Sequence, residues 1–355
     1  MSDELENMFY YGETPWHRKG KPVDHALTAE EAIVEGGLDW PVTTMPIYLN
    51  NLGKLPGNPG FRAVEKKMAI VRETDGAVFN VLGEDYTPVQ NREAFSFFDE
   101  VVASKEAKYH TAGSLLGGRW VWILAKLQGK NGTISIRGDA VDKYLLLMNG
   151  HDGKLAFKMF FTPIRVVCYN TLTAADAEAR RVMRSGLTSG GMLYARHTET
   201  VMKRIKNVRE SLGISIRYYD TFAEQANQLA KFQLPEAELP KLLVAAFQTT
   251  GAIRPENVAG FQDLTEEFSL QRQKQMATIR RLFEGEGKGL DDPNIKGTKW
   301  AAYNAVVEYC DFYKKYGGED PDDSRLRNTL FGSGGAIKKR AWEYLLNSTY
   351  FKAHL

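Results

Sequence analysis

The chain has 355 residues, 43% hydrophobic and 25% charged, the make-up of a folded protein long enough for a large core, so disorder throughout is excluded. With 46 basic against 44 acidic side chains the net charge is +2, too small an excess for a surface that attracts polyanions everywhere; any nucleic-acid face has to come from local clustering. The two cysteines, Cys168 and Cys310, stand far apart with no CxxC pair or Cys/His cluster. That excludes a zinc module or a disulfide scaffold as the organising principle and fits a reducing compartment.

Met1 to Tyr10 is acidic and lacks the basic and apolar regions of a signal peptide. The apolar run Tyr144–Met148 is strand length, far short of a membrane span, so a cytoplasmic protein is expected. Residues 1–25 combine Phe9, Tyr10, Tyr11, Pro15, Trp16 and His17, which predicts an irregular strap lying on the body.

Thr28-Ala-Glu-Glu31 fits a capping box, and Gly36-Gly37 closes the helix that it opens. Trp40–Leu49 reads as extended. Lys67–Arg72 and Ala77–Leu82 flank Thr74-Asp75-Gly76, a hairpin turn, and the apolar spacing of Ala94, Phe95, Phe98, Val101 and Val102 predicts a helix from Asn91. Strands follow at Tyr109–Leu116 and Trp120–Leu127 around Gly117-Gly118, then at Ile134–Arg137, Lys143–Met148 and Leu155–Phe161, with Asn149-Gly-His-Asp-Gly153 as the tip joining the last two. Thr162–Asn170 leads from sheet into helix.

Beyond residue 171 the period is helical at Thr198–Leu212, Tyr218–Phe232, Glu236–Phe247, Leu264–Phe283, Thr298–Tyr313 and Ala336–Leu346. The expected fold is α+β: a β-rich N-terminal half, residues 1–170, carrying an α-β-β-β-α unit followed by further antiparallel strands, and an all-α half, residues 171–355. The α-β-β-β-α order over residues 28–103 is similar to the core of the single-strand annealing proteins of homologous recombination.

No catalytic or metal-binding signature emerges. His151 and Asp152 sit in the predicted tip, where a polar loop that touches phosphate competes with plain turn chemistry. None of the other histidines stands in a metal-ligand pattern, so no metal and no cofactor is expected. Asp139 and Asp142 are an acidic pair before a strand, more often a solvated turn than a nuclease site. Cys168 lies in an apolar run, and Phe331-Gly-Ser-Gly-Gly335 before Lys338-Lys339-Arg340 lacks P-loop spacing.

The most informative feature is basic and aromatic. Between Arg165 and Arg217 lie ten cations, among them Arg180, Arg181, Arg184, Arg196 and Arg204, against four acids. Just upstream stand Arg119, Trp120, Trp122, Lys154 and Lys158. Cations that neutralise phosphates and rings that stack on bases are the two ingredients of single-strand binding; the competing reading is a solvated helix face plus core aromatics.

Gly12-Glu-Thr-Pro-Trp-His17, Tyr86-Thr-Pro-Val-Gln-Asn91, Thr111-Ala-Gly-Ser114, Asn149–Gly153, Arg165–Leu172, Gly297–Tyr309 and Leu330–Gly334 together resemble successive blocks of the phage/plasmid-like protein family, domain of unknown function 932. Lys154 and Cys310-Asp-Phe depart from that pattern. The family carries no settled activity. The resemblance implies the setting of a phage, plasmid or integrated element in a bacterial host.

The function expected from residues and resemblance together is nucleic-acid binding in phage or plasmid DNA metabolism. Single-stranded DNA is the favoured ligand and a homo-oligomer is compatible with that reading. The alternatives are a structural or regulatory interaction protein, and a nucleic-acid-processing enzyme with an unrecognised site.

Overall fold

A computed structural model of the chain describes residues 5–12, 20–50, 60–102, 107–128, 132–165, 170–171, 192–199, 212–248, 253–316, 328 and 332–350. The capping box forms as the sequence dictates. The Thr28 hydroxyl accepts from the Glu31 amide, Glu31 reaches back to the Thr28 amide, and helix α1 runs Ala29–Glu35.

The leader is part of the sheet and not an irregular strap. Strand β1, Leu5–Tyr11, is flanked by parallel β2, Lys21–Val23, and by antiparallel β6. Phe9 is fully buried there and joins the large core, so the ring and the pairing with two strands together hold the segment.

A three-stranded antiparallel sheet follows: β3, Val42–Asn50; β4, Phe61–Arg72; and β5, Val78–Gly83, with β4 in the middle. Gly76 at φ 73° makes the β4–β5 turn, and Asp75 fastens it by accepting from the Arg72 guanidinium. Helix α2 is Asn91–Val102.

The main sheet is built from β6, Ala107–Leu115; β7, Trp120–Leu127; β8, Thr133–Ile136; β9, Asp139–Gly150; and β10, Phe157–Arg165. Short β11, Asn170–Thr171, and β12, Met192–Ala195, both pair with β10. Its path is β11-β10-β9-β7-β6-β1-β2, with β8 on β9 and β12 on β10. Strands β7 and β9 are buried on both faces. Val121, Ile123, Leu145 and Leu147 face the large core, whereas Trp122, Leu124, Tyr144, Leu146 and Met148 form a smaller cluster behind it. That two-sided burial is why these strands read as unbroken apolar runs.

The C-terminal half is helical: α3, Leu212–Lys231; α4, Glu238–Phe247; α5, Phe261–Glu267; α6, Leu270–Arg281; α7, Lys299–Glu308, continued by a π-turn over Tyr309–Tyr313; and α8, Ser333–Tyr350. The fold is α+β as expected, with corrections of detail. Thr162–Asn170 leads back into the sheet through β11, and β12 lies in the half expected to be all helix; four residues carry too little periodicity to announce a strand that an open edge recruits. The expected helix Leu264–Phe283 divides into α5 and α6, because the Ser269 hydroxyl caps a new start and Gln273 donates to the Thr265 and Phe268 carbonyls at the break. The expected helix Thr198–Leu212 falls almost wholly outside the described residues.

One hydrophobic core runs through both halves, from Phe9 and Phe98 to Trp300 and Trp342. Hydrogen bonds from Trp300 Nε1 to Asp139, from Tyr219 to the Tyr144 carbonyl and from Arg137 to the Ala230 carbonyl tie helices to sheet.

Candidate functional site

The loop Asn149–Lys154, expected as an exposed tip, is turned inward: His151 is 0% exposed and Asp152 2%. Its residues act as a clasp. Asn149 Nδ2 donates to the Val89 carbonyl, Tyr86 donates to the Gly150 carbonyl, and Asn80 of β5 donates to the Asp152 carbonyl. The Asp152 carboxylate takes Trp120 Nε1 at 3.1 Å and the Lys154 amide at 2.9 Å. Gly150 is required by close approach, since a Cβ there would lie 2.3 Å from the Leu155 carbonyl oxygen. Both sheets and the start of α2 are thereby bound to one loop.

Asn91 Nδ2 donates to the Leu38 carbonyl, which leaves its Oδ1 to accept from His151 Nε2 at 3.0 Å; that nitrogen therefore carries a proton. Burial, with His197 nearby, pushes His151 down to about 3. His197 stacks on Tyr86 at 5.1 Å and is taken down to about 4 by burial, which outweighs the Asp152 carboxylate and the Thr87 and Leu155 carbonyls. A histidine held neutral and sealed from solvent is a structural group, not a proton shuttle. Behind it, Trp40 and Phe79 pack on His151 at 5.3 and 5.7 Å, and the Arg72 guanidinium lies over both rings while pairing with Glu6 and Asp75.

The other chemical candidates are spent on structure. Asp139 accepts from Trp300, and Asp142 accepts from Thr133 and pairs with Lys126. The Cys310 thiol is buried and pushed up to about 12; Cys168 lies outside the described residues. Among the described residues no group of three or more His, Cys, Asp or Glu side chains is placed to hold a metal ion, and no helix is long and apolar enough to cross a membrane.

Of the residues first singled out for a basic-aromatic surface, those that are described are only partly available to a ligand. Trp122 is 3% exposed and belongs to the rear cluster, so it is a core ring and not a stacking platform. Trp120 is half-buried with its indole held by Asp152, and Arg119 donates to the Phe79 and Leu116 carbonyls. Lys154 and Arg196 are exposed and Lys158 is half-buried. The Arg165 side chain, Arg180, Arg181, Arg184 and Arg204 lie outside the described residues.

Exposed rings and cations do meet, on β3 and β4. The register Tyr48↔Ala63, Leu49↔Arg62, Asn50↔Phe61 extends these strands as a ribbon on which Tyr48 and Phe61 share one face, 59% and 62% exposed. Leu49 and Arg62 take the other face. Between the pairs Pro46↔Met68 and Tyr48↔Ala63, residues Val64, Glu65, Lys66 and Lys67 stand opposite Ile47 alone, a bulge that puts Lys66 at φ 57°. Arg62, Lys66 and Lys67 are exposed, and among the described residues none of them forms an ion pair. Nearer the body, Met45, Ala69 and Val81 make a cross-strand row, with Val78 beside it, and Met45, Val78 and Val81 are each more than two-fifths exposed. The clue in the sequence was an aromatic residue on each side of a Gly/Pro/Asn-rich stretch, Tyr48 before it and Phe61 after it, the second followed by Arg62.

These features define an α+β protein in which a polar loop locks two sheets together while one sheet extends a ring-bearing ribbon. The chain belongs to the family of the domain of unknown function (DUF932), whose model matches residues 78–331. The match takes in the clasp and β5 but not β3 or β4. No curated protein and no solved structure matches the chain.

Proposed function

We propose that the protein binds single-stranded nucleic acid along the β3–β4 ribbon, as a DNA-binding component of phage or plasmid replication or recombination in the host cytoplasm. The observation that carries this reading is that Tyr48 and Phe61 share one exposed face of a ribbon whose strand β4 carries Arg62, Lys66 and Lys67, exposed cations that form no ion pair among the described residues. Rings offer any base a π-face, and the cations release counterions from the phosphates. Glu65 is the one acid among Phe61–Arg72 of β4, so the ribbon is locally basic in a nearly neutral chain. The α1-β3-β4-β5-α2 order, shared with annealing proteins, supports the same reading.

Fluorescence anisotropy with an oligo-dT strand tests it. Binding is expected at about 50 mM salt and to weaken steeply by about 200 mM. Replacing both rings, Tyr48→Ala with Phe61→Ala, is expected to weaken it by about tenfold or more, since stacking contributes roughly 1–3 kcal/mol per base. No affinity at low salt, or affinity untouched by the double variant, removes the reading. If the protein instead retains a protein partner that the double variant releases, the ribbon is a protein-docking face.

A further inference from the structure

The helical half gathers cations of its own at the C-terminal end of α4. Arg340 of α8 donates through Nε to the Ala246 carbonyl at 2.9 Å. The Arg272 guanidinium of α6 lies 4.6 Å over the Phe247 ring. Phe247 meets Tyr309 edge to face at 6.0 Å, and the Lys314 amide closes the π-turn by donating to the Tyr309 carbonyl at 2.7 Å. The Lys314 ammonium stands 4.3 Å over the Tyr316 ring. Arg340 and Arg272 thus meet successive residues at the end of α4, and Lys314 closes the turn of the tyrosine that packs on Phe247.

A helix C-terminus attracts positive charge, and Arg340 on the Ala246 carbonyl is explained in that way. The other two are not, since neither Arg272 nor Lys314 bonds to an α4 carbonyl among the described residues. The adjacent carboxylates are already engaged: Asp311 pairs with Lys338 and Glu343 with Lys339. The run Lys338-Lys339-Arg340 is therefore divided by the fold into one buried lysine, one surface lysine with its own partner, and an arginine turned to this cluster. All three cluster cations are half-buried, reachable from solvent yet partly stripped of it.

We propose that Arg272, Lys314 and Arg340 form a binding site for a phosphate group. Arg340 uses Nε on Ala246 and Arg272 uses Nη1 on Gln275, so each guanidinium keeps further N–H donors, and Lys314 adds a mobile point charge. Burial first, and then Arg272 beside it, draws Arg340 below the usual guanidinium range, opposed by Cys310 and Glu343; burial first lowers Lys314, with Cys310 opposing and Arg272 adding to it. A dianion relieves that repulsion. The site stands apart from the ribbon and does not depend on the ribbon reading.

Pyrophosphate is the probe, read by thermal unfolding and by calorimetric titration against sodium chloride at matched ionic strength. A rise in Tm that grows with pyrophosphate concentration is expected for the whole chain. Lys314→Gln leaves every hydrogen bond described above in place and is expected to weaken binding by about tenfold, the loss of one charge-assisted contact. Arg340→Lys, which keeps the charge but not the fork, is expected to fall between. The variant Tyr48→Ala/Phe61→Ala keeps the full effect, so failure here and failure on the ribbon are distinguishable. Displacement of pyrophosphate by oligo-dT in that variant identifies the natural group as a nucleic-acid backbone phosphate; no displacement identifies free phosphate or a mononucleotide. No rise beyond chloride, or an equal rise in Lys314→Gln, overturns the site.

Discussion

The clasp and the ribbon invert each other. In the clasp, Asn149, His151 and Asp152, three residues that favour water, are buried; in the ribbon, Tyr48, Leu49 and Phe61, three that avoid it, are exposed. Each inversion has a cost, and what offsets it differs. The clasp is compensated in large part inside the molecule, by Val89, Asn91, Trp120 and the Lys154 amide, while Asn149 Oδ1 and His151 Nδ1 stay buried with no hydrogen-bond partner among the described residues. Among the described residues nothing covers Tyr48 or Phe61, and on the proposed reading a bound strand supplies the compensation. A buried polar cluster that looks like a site in sequence is here a joint, and the surface proposed to bind is an unremarkable pair of strands.

Acid should break the comparison on the clasp side first. His151 and His197 are held down to about 3 and about 4 in the fold, against 6.5 in an unfolded chain, so below 6.5 the unfolded chain takes up protons that the folded chain refuses. Their contribution is complete above 6.5 and is lost as pH falls from there toward 4, at up to about 1.4 kcal/mol per pH unit for each ring. Urea midpoints at pH 7 and pH 4.5 measure the effect, and His151→Gln should flatten the profile; an unchanged slope in that variant would remove His151 from the joint.

A smaller effect separates two glycines. Gly150→Ala puts a Cβ 2.3 Å from a backbone oxygen, and a loss of about 3 kcal/mol is expected from the forced backbone shift. Gly60→Ala, next to the ribbon, has nothing within 4 Å and meets only the strain of φ +89°, about 1 kcal/mol. Equal losses in denaturant titration would mean that the clasp is no more rigid than the ribbon.

Local chemistry made much of this legible. The capping box at Thr28, the Asp75-Gly76 turn, the α-β-β-β-α order and the apolar strands β7 and β9 follow from spacing alone, because neighbouring residues determine them. Asn149–Gly153 misled because the residues that suit an exposed turn also suit a buried one when carbonyls and an indole N–H surround it, and those partners lie about 30 to 70 residues away in sequence. The rings Trp120 and Trp122 illustrate a second limit: two residues apart on one strand, they share a face, and only the sheet order β9-β7-β6 and the cluster behind it show that this face is covered as well. Beta-12 escaped notice since its pairing is with an edge more than 30 residues upstream.

The smallest expected change in stability, and the sharpest in binding, comes from neutralising the ribbon with Arg62→Gln, Lys66→Asn and Lys67→Gln together. Asn suits the left-handed backbone of Lys66, and none of the three cations forms an ion pair among the described residues, so stability should move by no more than about 0.5 kcal/mol. If these side chains meet phosphates, the logarithmic dependence of oligo-dT affinity on salt should become shallower by about 2, at roughly 0.7 per phosphate released from a single strand. Charge and stacking then separate cleanly, because Tyr48→Ala with Phe61→Ala lowers affinity without changing that slope. A slope that survives the triple variant would move the phosphate contacts off β4, leaving the ribbon with an apolar partner and no nucleic acid.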